Sequence, residues 1–185
     1  ADGGADHFRR TIEALRARLP GIVIEVLTPD FQDRDEALDR VLGAGPDIFN
    51  HNLETVRRLT PQVRHRATYD RSLSVLRKAH ERRGPRMMTK SGMMLGLGEA
   101  ADEVLEALGD LRSAGCDILT LGQYLQPTRE HLPVVEFVPP SRFAWFAERA
   151  EAMGFVHVAS GPMVRSSYHA DEVRFPEGGA GPAGG

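Results

Sequence analysis

Three stretches of the chain crowd hydrogen-bonding side chains where an apolar run gives out. The first, DIFNHNLET, carries Asn50, His51, Asn52 and Glu54 at the polar end of a strand-like segment. Their amides and carboxylate offer both donors and acceptors, which is what holding sugar hydroxyls or a carboxylate requires. A helix-capping Asn beside a surface Glu accounts for the same residues. The second, TKSGMMLGLGE, sets Gly92, Gly96 and Gly98 around a strand-to-helix turn. There the missing Cβ atoms let backbone approach a ligand, and the free N–H groups of a helix start point outward. The stretch is neither a complete Walker motif nor GxGxxG, and a tight turn that needs glycine has the same spacing. The third, GPMVRSSYHADE, places Arg165 beside Ser166, Ser167 and Tyr168. Hydroxyls next to a guanidinium suit an anion or a metal-bound group, and an ordinary polar loop has the same composition.

Other chemistries have less support. Gly122, Gln123 and Tyr124 follow the apolar run ILTL and could read a planar ring through backbone hydrogen bonds and stacking, or form a plain strand-end turn. The seven histidines include no HExxH or HxH, and no GxSxG nucleophile elbow occurs. Met87, Met88, Met93 and Met94 read as core filling rather than ligands. The single cysteine, Cys116, excludes a disulfide framework or a multi-cysteine site made from this chain. A net charge of -3 gives no electrostatic reason to expect nucleic acid or an anionic membrane as partner. No apolar run reaches bilayer-spanning length and the first residues lack a secretory signal, so the expected location is cytoplasmic. The chain starts with Ala rather than Met and reads as a segment of a longer protein.

These residues need a scaffold, and the hydrophobic pattern supplies one. A helix in DHFRRTIEALRARLP keeps Phe8, Ile12, Leu15 and Leu19 on one face. The next run, GIVIEVLTPDF, is β-branched almost throughout, as in a parallel strand covered on both faces. A short helix in DEALDRVLGAG leads to the strand DIFNHNLET, and a third strand lies within RMMTKSGMML. The helix AADEVLEALGDLRSAG follows, with Val104, Leu105, Leu108 and Leu111 on one face, then the strand DILTLGQYLQP. Ser141 is placed to cap the helix SRFAWFAERAEAMG, which runs into a last strand, FVHVASGPM. Strands alternating with helices define a parallel α/β architecture, an open sheet or a barrel, whose strand C-termini deliver all these loops to one mouth. Residues 1–175 form one such domain, and the Gly/Pro/Ala tail 176–185 is expected to be disordered.

Taken together, FNHNLETV, YDRSL, TKSGMMLGLGE, LTLGQYLQPTREHLPV and GPMVRSSYHADE resemble the lipoyl synthase family of radical S-adenosylmethionine enzymes, in order and spacing, from about Ile22 to Asp171. The resemblance implies the C-terminal part of a partial (β/α) barrel with parallel strands. It implies insertion of two sulfur atoms into an octanoyl chain carried on a lipoyl carrier protein or domain, with two 4Fe-4S clusters and S-adenosyl-L-methionine as cofactors. Partners implied are that octanoylated carrier and iron-sulfur cluster assembly or carrier proteins. Asn50, Asn52, Glu54, Lys90, Ser91, Gly92, Gly96, Glu99, Gln123 and Tyr124 fall in segments that would contact the cofactor or substrate. Ser167, with Ser166 as fallback, would ligate the auxiliary cluster, which in the family gives up its sulfur. A hard oxygen ligand on iron is displaced more readily than thiolate, which suits a cluster that is consumed. The family's CxxxCxxC and CxxxxCxxxxxC sets are absent, so no catalytic residue is assigned and the chain alone is expected to be inactive. A degenerate homologue that only binds S-adenosylmethionine or acylated carrier, and an unrelated phosphate-binding barrel, are the competing readings.

Overall fold

The structure, a computed structural model, describes residues 2–64 and 66–166. The expectation for the tail 176–185 lies outside the described residues. Helix α1 (Ala5–Arg18) precedes strand β1 (Glu25–Leu27), and a short 3-10 turn (Phe31–Asp33) follows it. Next come α2 (Asp35–Gly43), β2 (Ile48–Asn50), the single turn α3 (Thr60–Val63) and α4 (Tyr69–Arg82). The chain continues through β3 (Met88–Leu95), α5 (Ala101–Ser113), β4 (Ile118–Gln123), α6 (Pro140–Ala152) and β5 (His157–Gly161). All five strands are parallel in one sheet of order β1-β2-β3-β4-β5.

Which sheet face the helices cover decides between the two architectures open to the sequence. Val26, Phe49, Leu119 and Leu121 alternate along their strands on one face and pack against buried residues of the helices, including Ile12, Leu38, Val75, Leu108 and Phe146. Ile48, Met88 and Ile118 form a separate apolar layer on the opposite face. Helices on one face only, with strands added in chain order, are the arrangement of a (β/α) barrel rather than a doubly wound sheet. The inner face carries Asn50, Lys90, Gly92, Thr120 and Gly122, because side-chain direction in a strand repeats every two residues.

Local chemistry sets the helix starts. Thr68 accepts from the Arg71 amide to begin α4, and Glu103 accepts from the Ala100 amide to begin α5. Helix α6 starts with Pro140 at its first turn and Pro139 before it, so Ser141 lies inside the helix and does not cap it. Two other expectations are corrected. Leu15 on α1 and Leu19 just past its end are exposed, and the buried face of α1 centres on Ile12. The run GIVIEVL is not covered on both faces: β1 is the edge strand among the described residues, and Val23 and Leu27 are each 50% exposed.

Helix α4 is left unmarked by periodicity, although Tyr69, Leu73 and Leu76 keep helical spacing. Its other positions are dense in charge, and they meet partners from far along the chain. Lys78 pairs with Asp33 and Asp35, and Arg82 with Asp35 and Asp39, across to α2.

Candidate functional site

Strand parity brings the polar ends of β2, β3, β4 and β5 around a cavity of about 250 Å³ at their C-terminal edge. Asn52 and Glu54 form one wall, Gly92, Thr120 and Gly122 the floor, and Met94 and Leu125 an apolar side, while Met93, also in the lining, packs into the core on the helical face. Val164, Arg165 and Ser166 close the rim, and Gln123 completes the lining.

Gly92 keeps this floor low. A Cβ there would stand 2.6 Å from Thr120 Oγ1 and 3.0 Å from Asn52 Oδ1, so any side chain would enter the polar group that faces the cavity. Beyond β2 the chain makes one further parallel bridge, Glu54 to Met93. Glu54 donates its N–H to the Gly92 carbonyl (3.0 Å) and accepts from the Met94 N–H (2.8 Å). It does so with φ 71°, a left-handed conformation that costs a non-glycine residue about 1–2 kcal/mol. Burial holds the Glu54 carboxyl above its ordinary value; a hydrogen bond from Asn52 and the charge of Arg64 work the other way. Asn52 Oδ1 is buried without a hydrogen-bond partner among the described residues. An unmatched acceptor costs free energy unless something donates to it, so the cavity suits a ligand with hydroxyl or amino donors.

The remaining residues named from the sequence lie around this cavity rather than in it. Asn50 and Lys90 sit deeper on the inner face. Asn50 donates to Glu25 Oε1 (2.7 Å), and the Lys90 ammonium, 1% exposed, donates to Glu25 Oε2 (2.8 Å). Ser91 points to the helical side, where its hydroxyl accepts from the Leu53 amide. Glu99 takes the N–H groups of Gly96 (2.5 Å) and Leu97 (2.9 Å), so the glycine-rich turn satisfies these donors internally instead of presenting them to a ligand. Gly96 itself holds φ 106°, a region that favours glycine.

Gln123 donates to the Glu136 carbonyl and accepts from the Val138 amide, fastening the loop after β4 across the sheet edge. Tyr124 is buried and donates to the Leu132 carbonyl, which orients the same loop. Ser166 is at the cavity rim, and Ser167 lies outside the described residues. Thr120 was not singled out from the sequence, and Met94, expected there as core filling, is only partly buried and lines the cavity. Their signal is parity: each is an even step from Gly92 or Gly122 along a strand whose inner face was not yet known.

Cys116 is no candidate for an iron site. It is fully buried between α5 and β4 among Leu111, Ala114 and Leu119, and burial with the adjacent Asp117 charge pushes its thiol up to about 12. No group of three or more His, Cys, Asp or Glu side chains placed to hold a metal occurs among the described residues. No helix among them is long and apolar enough to cross a membrane.

The sequence profile of the Radical SAM superfamily matches residues 2–121, and the chain belongs to that superfamily. At the level of individual proteins the sequence resembles lipoyl synthases. It is 57% identical over 172 residues to the lipoyl synthase of Methylococcus capsulatus, which covers 92% of this chain and 53% of that protein. It is 55% identical over 173 residues to that of Thermus thermophilus, with 93% and 53% covered. The chain spans about half the length of the curated relatives it matches. Among solved structures, methylornithine synthase superposes with a TM-score of 0.61 at 14% identity, over 90% of this chain and 57% of that one. That likeness concerns the fold, a partial (β/α) barrel.

Proposed function

We propose that this chain is the cofactor-facing part of a lipoyl synthase, the enzyme that inserts two sulfur atoms into an octanoyl chain on a lipoyl carrier protein or domain. The observation that carries the reading is convergence: FNHNLET, TKSGMM and LGQYL, the segments that resemble the family, meet at one cavity with an unpartnered acceptor in its wall. S-adenosyl-L-methionine fits this site. Its ribose hydroxyls and ammonium supply the donor that Asn52 Oδ1 lacks and can add to the hydrogen bond on the Glu54 carboxylate, and the alkyl groups around its sulfonium match the Met94 and Leu125 side. When bound next to a reduced 4Fe-4S cluster, it supplies hydrogen-abstracting chemistry.

In this reading the chain's own residues bind and orient. Asn52 and Glu54 fix the polar end, while Gly92 and Gly122 leave the room a side chain would fill. Gln123 and Tyr124 hold the loop that walls the site, and Asn50, Lys90 and Glu25 form a rigid polar layer beneath it. Ser91 holds the Leu53 backbone after β2, and Gly96 and Glu99 shape the turn after β3. The residues present do not fit a cluster: the one thiol is buried and protonated. Both clusters of the proposed enzyme therefore take their thiolates from outside these residues. The auxiliary one takes its oxygen from Ser167 or Ser166, and cluster assembly proteins are partners of the whole enzyme.

The test has two arms. Isothermal titration of this chain with S-adenosylmethionine is expected to give one site, weakened by Asn52→Ala. A hybrid in which this chain replaces the matching half of the Methylococcus capsulatus enzyme is expected to load iron anaerobically and to convert octanoyl to lipoyl groups, whereas the chain alone is not. Binding with an iron-loaded but inactive hybrid would leave a cofactor-binding module; no binding and no conversion would overturn the proposal.

A further inference from the structure

Outside the cavity, one buried polar chain ends on its wall and has no part in the roles assigned so far. His51 alternates with Asn50 and Asn52, so its ring points to the helical side, where it is 1% exposed. Its Nδ1 lies 2.9 Å from the Thr28 carbonyl and its Nε2 3.0 Å from Ser72 Oγ on α4. A carbonyl oxygen only accepts, so Nδ1 carries the proton. Burial holds the ring below its ordinary value and therefore neutral, which leaves Nε2 bare to accept from the Ser72 hydroxyl. Ser72, fully buried, then has its oxygen free to accept, and Arg64 Nη1 donates to it at 3.0 Å. The same Arg64 nitrogen donates to the Asn52 carbonyl, also at 3.0 Å. Every polar atom in this chain has one consistent role. It runs from the carbonyl that follows β1, through β2 and α4, to the backbone of the residue that lines the cavity.

We infer that Arg64 is a positioning residue: held by Ser72 and His51, it grips the Asn52 carbonyl and fixes the Asn52–Glu54 turn, left-handed at Glu54, that presents the Asn52 amide and Glu54 carboxylate to the cavity. The turn needs such a grip because its conformation is intrinsically unfavourable, and its other hydrogen bonds to β3, from the Leu53 N–H to Ser91 and the two made by the Glu54 backbone, all fall after Asn52. Arg64 also brings a positive charge toward Glu54 without lining the cavity. The inference takes the cavity's ligand from the function proposed above, but the placement of the turn is measured without it.

The experiment is amide hydrogen exchange on this chain, wild type against Arg64→Met, Arg64→Lys and Ser72→Ala, read at Glu54 and Met94, whose N–H groups report the turn. Leu121, in the same sheet away from Arg64, is the control for global loosening. Arg64→Met is expected to speed exchange at Met94 about tenfold, the scale of one charged hydrogen bond lost, with Leu121 unchanged. Arg64→Lys restores part of the protection because an ammonium can still reach the Asn52 carbonyl. Nitrogen-15 shifts of His51 should show Nε2 unprotonated in the wild type. S-adenosylmethionine affinity should fall about as much as Met94 protection does.

Unchanged exchange at Met94, or equal acceleration at Leu121, would overturn the inference. If Arg64→Met does not fold, the same comparison between Arg64→Lys and Ser72→Ala decides it: no local effect in either removes the positioning role. If the wild type fails to bind S-adenosylmethionine while the exchange pattern holds, the positioning role stands and the proposed function falls.

Discussion

Substituting Gly92 by Ala tests the site at its tightest point. Gly92 is on β3 with no positive φ, so the backbone accepts an L residue and the whole effect comes from the added methyl. That methyl would stand 2.6 Å from Thr120 Oγ1 and 3.0 Å from Asn52 Oδ1, where ordinary contacts need 3.4 Å or more. Thr120 is β-branched and stiff at χ1, and it sits on the neighbouring strand in direct register with Gly92. Asn52 lies beyond the last paired residue of β2 and is the easier of the two to displace. Overpacking of this kind costs about 1–3 kcal/mol. For a chain of this size each kcal/mol lowers Tm by about 2–4 °C, so a drop of roughly 4–8 °C is expected for a cost of about 2 kcal/mol.

Thermal unfolding by circular dichroism reads that cost, and calorimetric titration with S-adenosylmethionine reads the displaced Asn52 as an affinity loss of about tenfold or more, one hydrogen bond's worth. Adding Thr120→Ala removes the closer contact and leaves the one to Asn52. The double variant should therefore regain most of its Tm, relative to Thr120→Ala alone, while still binding weakly. A Gly92→Ala chain with wild-type Tm and wild-type affinity would show that the floor of the cavity is not where its ligand lies.

Three further outcomes follow from the same geometry. Burial raises the Glu54 carboxyl, so its contribution to stability is fully present below its ordinary value of 4.5 and is lost as pH rises through the raised folded value. Glu54→Gln should accordingly be more stable than wild type in urea denaturation at pH 7–8, with the difference vanishing below about pH 4.5. Lys90→Met strands Glu25 and should cost about 3 kcal/mol, the lower end for breaking a buried pair since Glu25 is partly exposed; Lys90→Met with Glu25→Leu should recover much of it, and equal losses would deny the coupling. Cys116, with its thiol pushed up to about 12, should resist aromatic disulfide reagents at pH 8 in the native state and react once unfolded; rapid native labelling would contradict its burial.

Most of the scaffold was legible because its signals are local. Five apolar runs became the five strands, and Gly21, Gly45, Gly115 and Gly154 end segments where the chain turns with positive φ. Helix α4 was not legible, since its many charges are paired with α2 and the 3-10 turn rather than with its own neighbours. The candidate site was legible as segments: Asn52, Glu54, Gly92, Gln123 and Ser166 do meet. Why Asn50, Lys90, Ser91, Gly96, Glu99 and Tyr124 stand outside the cavity is a different kind of fact.

A strand alternates its side chains whatever surrounds it, so the pairing of Lys90 with Gly92 and of His51 with Leu53 in direction is written in the chain. Which of those directions faces the barrel interior is not, because both faces of a parallel strand meet apolar neighbours and the choice depends on where the helices pack. The same holds for partners: Glu99 beside Gly96 is a local match, whereas Glu25 under Lys90, Arg64 on Asn52 and Thr120 against Gly92 join residues 12 to 65 positions apart. Those contacts exist only once strand order and register are set, and they separate the residues that line the cavity from those that support it.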